Sequence, residues 1–210
     1  DRSDYVIDET GGSMTFGYPV NNITRLQFTF GYTKTKLAVG TGNSIPLQII
    51  HFVDDNGTDY DTYSFTSSWS RSTLNRGQFP TDGWGQNLSL RVTAPFSDLS
   101  YYKMNYSSNY YYPLDKNHEF VFRLRDKIGW ADSYGDTNDL PFYEHYFTGG
   151  INSVRGYNRN TLGLETITER GSTDPFGGGL LFENSITISY LKFFFNISIA
   201  CNSRIKSALF

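Results

Sequence analysis

The sequence predicts an all-β protein: an antiparallel transmembrane β-barrel segment of about eight long strands with long extracellular loops. Three observations carry that expectation. Apolar and polar residues alternate over stretches of about 10 residues, the length a tilted membrane-crossing strand needs, whereas strands of a soluble sandwich average about 5–6. Tyr and Trp gather at the strand ends, at Tyr18, Tyr32, Tyr110, Tyr111, Tyr112, Trp130 and Tyr190, where interfacial girdles lie in such barrels. The connections also alternate in character. "PVNN" and "PLDKN" are tight turns and "NRGQFPTDGWG" is a turn-rich link, while "GTGNSIPLQIIHFVDDNGTD" and the segment 132–176 are long. Short turns on one side and long loops on the other is the membrane-barrel arrangement. A soluble antiparallel sandwich alternates as well, but it leaves these three features without a reason.

The elements follow in chain order. A weak strand is expected near 10–20, in "TGGSMTFGYPV". In "RLQFTFGY", Leu26, Phe28, Phe30 and Tyr32 share one face and Arg25, Gln27, Thr29 and Gly31 the other. "TYSFTSSWS" sets Tyr63, Phe65 and Trp69 opposite Ser64, Thr66, Ser68 and Ser70. "NLSLRVTA" separates Leu88, Leu90, Val92 and Ala94 from Asn87, Ser89, Arg91 and Thr93. "YKMNYSSNYYY" places Tyr102, Met104, Tyr106, Tyr110 and Tyr112 against Lys103, Asn105, Ser107 and Asn109. "EFVFRLRDKIGW" divides Phe120, Phe122, Leu124, Ile128 and Trp130 from Glu119, Arg123, Arg125 and Lys127. "LFENSITISY" gives Phe182, Ile186, Ile188 and Tyr190 on one side and Glu183, Ser185, Thr187 and Ser189 on the other. A last weak strand is expected at 203–210, and no stretch reads as a convincing helix.

Composition narrows the function classes. The net charge is -3 with a pI near 5.6, so no basic field invites nucleic acid. Mean hydropathy is -0.44, and no apolar run approaches the roughly 18 residues of a membrane helix. With 16 Tyr and 17 Phe the chain is too aromatic for disorder. Cys201 is the single cysteine, which leaves no internal disulfide and no thiolate metal cluster. The opening "DRSDYVIDET" is neither basic nor apolar enough for a signal peptide. His51, His118 and His145 lie far apart without metal-ligand spacing, and there is no G-x-S-x-G elbow or Walker loop. Glu144 and His145 are neighbours in "FYEHY", which on a strand would send them to opposite faces. Nothing here argues for an enzyme, a cofactor or a metal.

Two stretches carry a resemblance. "RGQFPTDGWGQNLSLRVTAP" and "LPFYEHYFTGGINSVRGYNRNTLG" resemble the Omp85 family, in the branch that assembles outer-membrane proteins. The first resembles that family's turn R-G-x-F-P-T-D-G, here Arg76, Gly77, Phe79, Pro80, Thr81, Asp82 and Gly83. The second resembles the run into its sixth extracellular loop, P-F-Y-E-x-x-x-x-G-G-x-x-x-V-R-G, which places Gly149, Gly150, Val154, Arg155, Gly156 and Tyr157. The resemblance covers nearly the whole chain, with weak fits at 38–60 and 190–204. It implies that residues 1–210 are part of one barrel domain, strands six to thirteen of sixteen, with no POTRA domains present.

The same resemblance implies a machine that folds and inserts β-barrel proteins in the outer membrane of a Gram-negative bacterium without a cofactor. Its partners would be nascent outer-membrane proteins, accessory lipoproteins that dock mainly on POTRA domains, and outer-membrane lipid. Turns at 20–23, 75–84 and 113–118 are then expected in the periplasm, and 38–60, 95–100 and 132–176 outside. In the family the sixth loop folds back into the lumen, where the Arg of V-R-G-[FY] meets acidic residues of the wall. Arg155 matches that Arg, and a guanidinium in a narrow lumen needs a partner. Gly149, Gly150 and Gly156 would let the backbone turn sharply. The family's wall Glu corresponds to Thr187 here, which leaves Glu183, on the same face, as the nearest substitute. Two other readings remain open at this stage. One is a complete eight-stranded barrel with a structural, adhesin or pore role; the other is an Omp85-type polypeptide secretion pore.

Overall fold

The computed structural model describes residues 5–40, 46–151, 153–167 and 173–190. Seven long strands form one antiparallel meander: β1 Tyr5–Pro19, β2 Thr24–Val39, β3 Asp59–Ser72, β4 Gly83–Thr93, β5 Tyr101–Pro113, β6 Phe120–Ser133 and, after a long loop, β9 Leu180–Tyr190. That loop holds a small hairpin of its own, β7 Leu164–Ile167 with β8 Thr173–Gly177. The long strands run from 11 to 16 residues, enough to cross a bilayer at a tilt. Each strand pairs with its neighbour in sequence until the chain leaves β6, loops, and returns to pair β9 against it. The sheet is open, with β1 and β9 at its two edges among the described residues. The strand expected at 203–210 lies outside the described residues.

Register converts the alternation into two surfaces. Leu26, Trp69, Leu88, Tyr106, Ile128 and Phe182 stand opposite one another in succession, so one apolar row crosses six strands. Leu88, Ile128 and Phe182 of this row are exposed on the outside of the chain, as are Phe30, Phe65, Leu90 and Ile188, while Leu26, Trp69 and Tyr106 are half-buried between them. An apolar belt of this extent has no place in water, and it is the surface a barrel turns to lipid. The opposite surface is polar: Arg91 faces Lys103, Asn105 faces Gly129, Lys127 faces Glu183, and Arg123 faces Thr187. The loops pack on this second surface.

One departure concerns the long connection between β2 and β3, where no helix was expected. Residues Leu47–Asn56 form α1. Ile49 and Phe52 are its buried residues, three apart and so on one helical face, Pro46 precedes it, and Gly57 follows at φ 89°. Ile49 and Phe52 join Leu37, Tyr60, Leu99, Tyr101, Ala131, Leu140 and Phe142 in a compact core at the long-loop end of the polar face. Phe52 lies edge-on to Phe142 at 5.7 Å, and Tyr5 meets Phe142 at 4.8 Å. Burying each such ring contributes roughly 1.5–3 kcal/mol. This core roofs one end of the inner wall and brings residues 140–146 down onto it.

At the opposite end the turn that resembles the family motif is a built structure. The Asn75 Oδ1 accepts the backbone N–H groups of Thr81 and Asp82 at 3.1 and 3.3 Å. The Thr81 hydroxyl, fully buried, accepts from Asn75 Nδ2 at 2.7 Å and Arg76 Nη2 at 3.2 Å, and lies 3.1 Å from His118 Nδ1 of the next turn. Phe79 takes φ 49° and Gly83 φ 108°; a Cβ at residue 83 would sit 2.4 Å from the Thr73 carbonyl oxygen. Asp115 caps the neighbouring turn by accepting from Phe120 N and Asn117 N, and these backbone donors, that of Phe120 foremost, lower its carboxyl below the usual range.

Candidate functional site: a loop held on the inner wall

The segment between β6 and β9 meets the polar wall first through a short 3-10 turn, Phe142–Glu144. That turn presents Glu144 to three strand residues at once. One carboxylate oxygen lies 3.1 Å from Arg91 Nη1 of β4 and accepts the Tyr101 hydroxyl at 3.0 Å. The other lies 3.1 Å from Lys103 Nζ of β5, which also donates to the Glu144 carbonyl at 2.8 Å. The Glu144 side chain is 17% exposed and that of Lys103 19%, so this is a sheltered triad rather than a surface pair. The aromatic faces reinforce it, with Arg91 over Tyr101 at 5.6 Å and Lys103 over Tyr146 at 4.6 Å.

Tyr146 supplies the second anchor. Its ring lies on Gly129 of β6, and its hydroxyl donates to Asn105 Oδ1 at 2.7 Å and lies 3.1 Å from the Met104 carbonyl. Gly129 is the only residue type that leaves room: a Cβ there would stand 2.6 Å from the ring. Gly129→Ala is therefore expected to lift the ring and loosen the loop, at a cost of about 1–3 kcal/mol. Thermal unfolding of the whole protein, with limited proteolysis of the loop, would measure it. Unchanged protection would mean that the ring is not seated on the wall.

The two limbs of the loop are also tied together. Tyr146 and Gly178 exchange backbone hydrogen bonds at 2.8 and 3.1 Å, and Ala131 N donates to the Gly179 carbonyl at 2.7 Å. His145 lies edge-on to Phe176, with Nδ1 2.9 Å from the Phe176 carbonyl oxygen. Burial is the main reason that its pKa falls below the ordinary histidine value. A lowered folded pKa means that the contribution of His145 is present above about pH 6.5 and is lost as pH falls through the folded value. Protease resistance of the loop is expected to drop on acidification below that point. In His145→Asn the dependence should flatten, and an unchanged acid profile would assign it to another group.

Beyond these anchors the tip carries the motif residues. Gly149 and Gly150 take φ 111° and 98°, and a Cβ at residue 149 would lie 2.4 Å from the Asn158 carbonyl oxygen. Thr148 and Leu162 close the tip through a backbone bond of 3.1 Å. Ser153 donates to the Gly150 carbonyl at 3.1 Å, and its hydroxyl accepts the Gly149 N–H at 3.2 Å. It also lines a small cleft against Arg125, Lys127, Glu183 and Ser185 of the wall. Val154 is half-buried, while Arg155, Gly156 and Tyr157 are exposed. Gly156 takes φ 89° with open space where a side chain would go.

The expected pairing of Arg155 with Glu183 is not formed. Glu183 faces Lys127 and holds its Nζ at 3.4 Å, so its carboxylate already has a cation. The physical reason is the charge of that wall. Arg123, Arg125 and Lys127 take successive inward positions on β6, and Glu183 is the acid opposite them on β9. At Thr187 the wall has no carboxylate to offer; Thr187 stands across from Arg123, which donates to Asn109 and lies over Tyr111 at 5.4 Å. A further guanidinium brought to this patch would meet like charge. The residue that sequence reasoning passed over is Glu144, whose motif position was noted but whose partners lie on strands far back in the chain.

A long-stranded antiparallel sheet, apolar outside and polar inside, with a long loop laid against the polar side, defines the wall of an outer-membrane β-barrel. Comparison with known proteins agrees. The Omp85 superfamily domain matches residues 1–210. The chain belongs to the Omp85 superfamily and is a BamA-like member of it. It is 30% identical over 182 residues to the outer membrane protein assembly factor BamA of Neisseria meningitidis serogroup B, covering 83% of this chain and 22% of that protein. Among solved structures it is similar to BamA from Haemophilus ducreyi lacking POTRA domains 1–3, with a TM-score of 0.80, 25% identity, 88% of this chain covered and 37% of the other. The chain thus spans well under half the length of these relatives.

Proposed function

We propose that this chain is part of the barrel of an outer-membrane protein assembly factor, and that it supports the folding and insertion of β-barrel proteins. The observation that supports the reading is the loop of the V-R-G-Y motif, which is fastened to the inner wall by Glu144 and Tyr146 instead of projecting freely. A relative named as an assembly factor points the same way. In this reading the sheet supplies a rigid, lipid-facing wall and the docked loop shapes the lumen beside it. The work is conformational, so no residue is given a catalytic role. Nascent outer-membrane proteins are the clients, and accessory lipoproteins are further partners of the whole protein.

Depletion of the whole protein in its own host tests this. Folded β-barrel proteins should fall in the outer membrane while inner-membrane proteins hold steady. If the barrels persist and one secreted polypeptide is lost, the secretion-pore reading replaces this one.

A further inference from the structure

The apolar outer surface is interrupted by one polar row. Register aligns Arg71 of β3, Gln86 of β4, Ser108 of β5, Asp126 of β6 and Asn184 of β9 as successive neighbours. The rows beside it are apolar: Trp69, Leu88, Tyr106, Ile128 and Phe182 on one side, and Trp84, Tyr110, Leu124 and Ile186 on the other. The polar row is hydrogen-bonded within itself and to the rows beside it. Asn184 donates to Asp126, the Trp84 indole donates to Ser108 at 2.7 Å, and Gln86 donates to the Tyr106 hydroxyl at 2.9 Å. The carboxylate of Asp126 nevertheless has no cation within ion-pair distance among the described residues. Lys127, beside it in sequence, points to the other face and holds Glu183.

Depth decides what can supply that cation. Asp126 lies between Phe120 and Trp130, the outward aromatics near the two ends of β6. At about 3.3 Å per residue and a tilt near 40°, it sits roughly 10 Å from the nearer end and roughly 15 Å from the farther one. A lipid amine stays in the headgroup layer and does not reach such a depth. A side chain on a neighbouring membrane-spanning polypeptide does. Intramembrane carboxylates pair with another polar group instead of facing hydrocarbon. The outward-facing acceptors of Asp126, Asn184 and Gln86 call for donors, and the anionic one calls for a cation.

We propose that Gln86, Asp126 and Asn184 of this row, with Ser108 buried between them under the Trp84 indole, form a lateral docking surface for a second membrane-embedded protein, whose lipid-facing side places a Lys or Arg at the depth of Asp126. The flanking Leu88, Ile128 and Phe182 supply apolar contact, and Asp126 supplies the selectivity.

The test uses the whole protein in native outer membranes, with a photoreactive p-benzoylphenylalanine replacing Ile128, next to Asp126 on the outward face. A discrete protein adduct is expected. It should fall about tenfold in Asp126→Lys and in the near-isosteric Asp126→Asn, and persist in Asp126→Glu. The heat-dependent gel shift of a folded barrel controls for folding, and Asp126→Asn decides the matter if Asp126→Lys does not fold. Reversing the partner's cation at the cross-linked contact to Glu should restore the adduct with Asp126→Lys. Adducts with lipid alone, or a protein adduct indifferent to the charge at residue 126, would overturn the proposal.

Discussion

Replacing Glu144 with Ala is expected to release the long loop from the wall. The substitution removes two ion-pair contacts at 3.1 Å and a hydrogen bond from Tyr101, and it leaves Arg91 and Lys103 facing each other across β4 and β5 without an anion. Breaking a fully buried pair from one side costs about 3–5 kcal/mol. Here Arg91 is 32% exposed, and water recovers part of that, so about 2–3 kcal/mol is the reasonable expectation. Limited proteolysis of the whole protein should show cleavage within 149–163 at much lower protease, and assembly activity should fall. Glu144→Gln keeps the Tyr101 contact but not the charge, and should fall between wild type and Ala. Glu165→Gln, on β7 and exposed, is the control and should do little. A resistant loop in Glu144→Ala would show that Tyr146 and the limb-to-limb backbone bonds suffice alone.

Arginine at Leu90 should be the most damaging change on the outer surface. Leu90 projects outward from the middle of β4, 43% exposed, between Ser67 of β3 and Met104 of β5. A cation near the bilayer midplane destabilises a barrel by about 2–4 kcal/mol. Asn87, on the inward face between Ser70 and Ser107, should accept Arg with a change below about 1 kcal/mol. Urea titration of the whole protein folded into liposomes would rank the two. The reverse order would mean that the faces are inverted.

Much of this surface was legible in the sequence, because a period of two needs nothing beyond local order. Leu26, Phe28 and Phe30 announce their shared face without reference to any other strand. Even the polar row is visible as gaps, with Ser108, Asp126 and Asn184 standing where each outward series should continue. What stayed hidden depends on residues far apart. Arg91 and Glu144 are 53 positions apart, and nothing within five residues of Glu144 names its partner. The helix α1 was hidden for a different reason. Ile49 and Phe52 have helical spacing, and Pro46 and Gly57 bracket them, but the stretch is short and its apolar face becomes meaningful only against Leu37, Tyr60 and Phe142. Arg155 was placed by motif, and the wall's own cations decided against its pairing with Glu183. A motif fixes the residue; the charge of the surface opposite fixes what it can touch.

The strand order carries a consequence for the timing of folding. From β1 to β6 every pairing joins neighbours in sequence, so the sheet can lengthen hairpin by hairpin, each step but that from β2 to β3 closing a short connection. The pairing of β9 with β6 is different, since the whole intervening loop must be closed before its first hydrogen bond forms. Closure entropy grows with the logarithm of loop length, about 0.6 kcal/mol for each doubling. Seating Glu144 and Tyr146 on strands already formed, then joining Tyr146 to Gly178, delivers the chain to within reach of β6 and divides one long search into two short ones. Among the described strands of the sheet, β9 should therefore be the last to protect its amides during refolding, and the docking of the loop should set its rate.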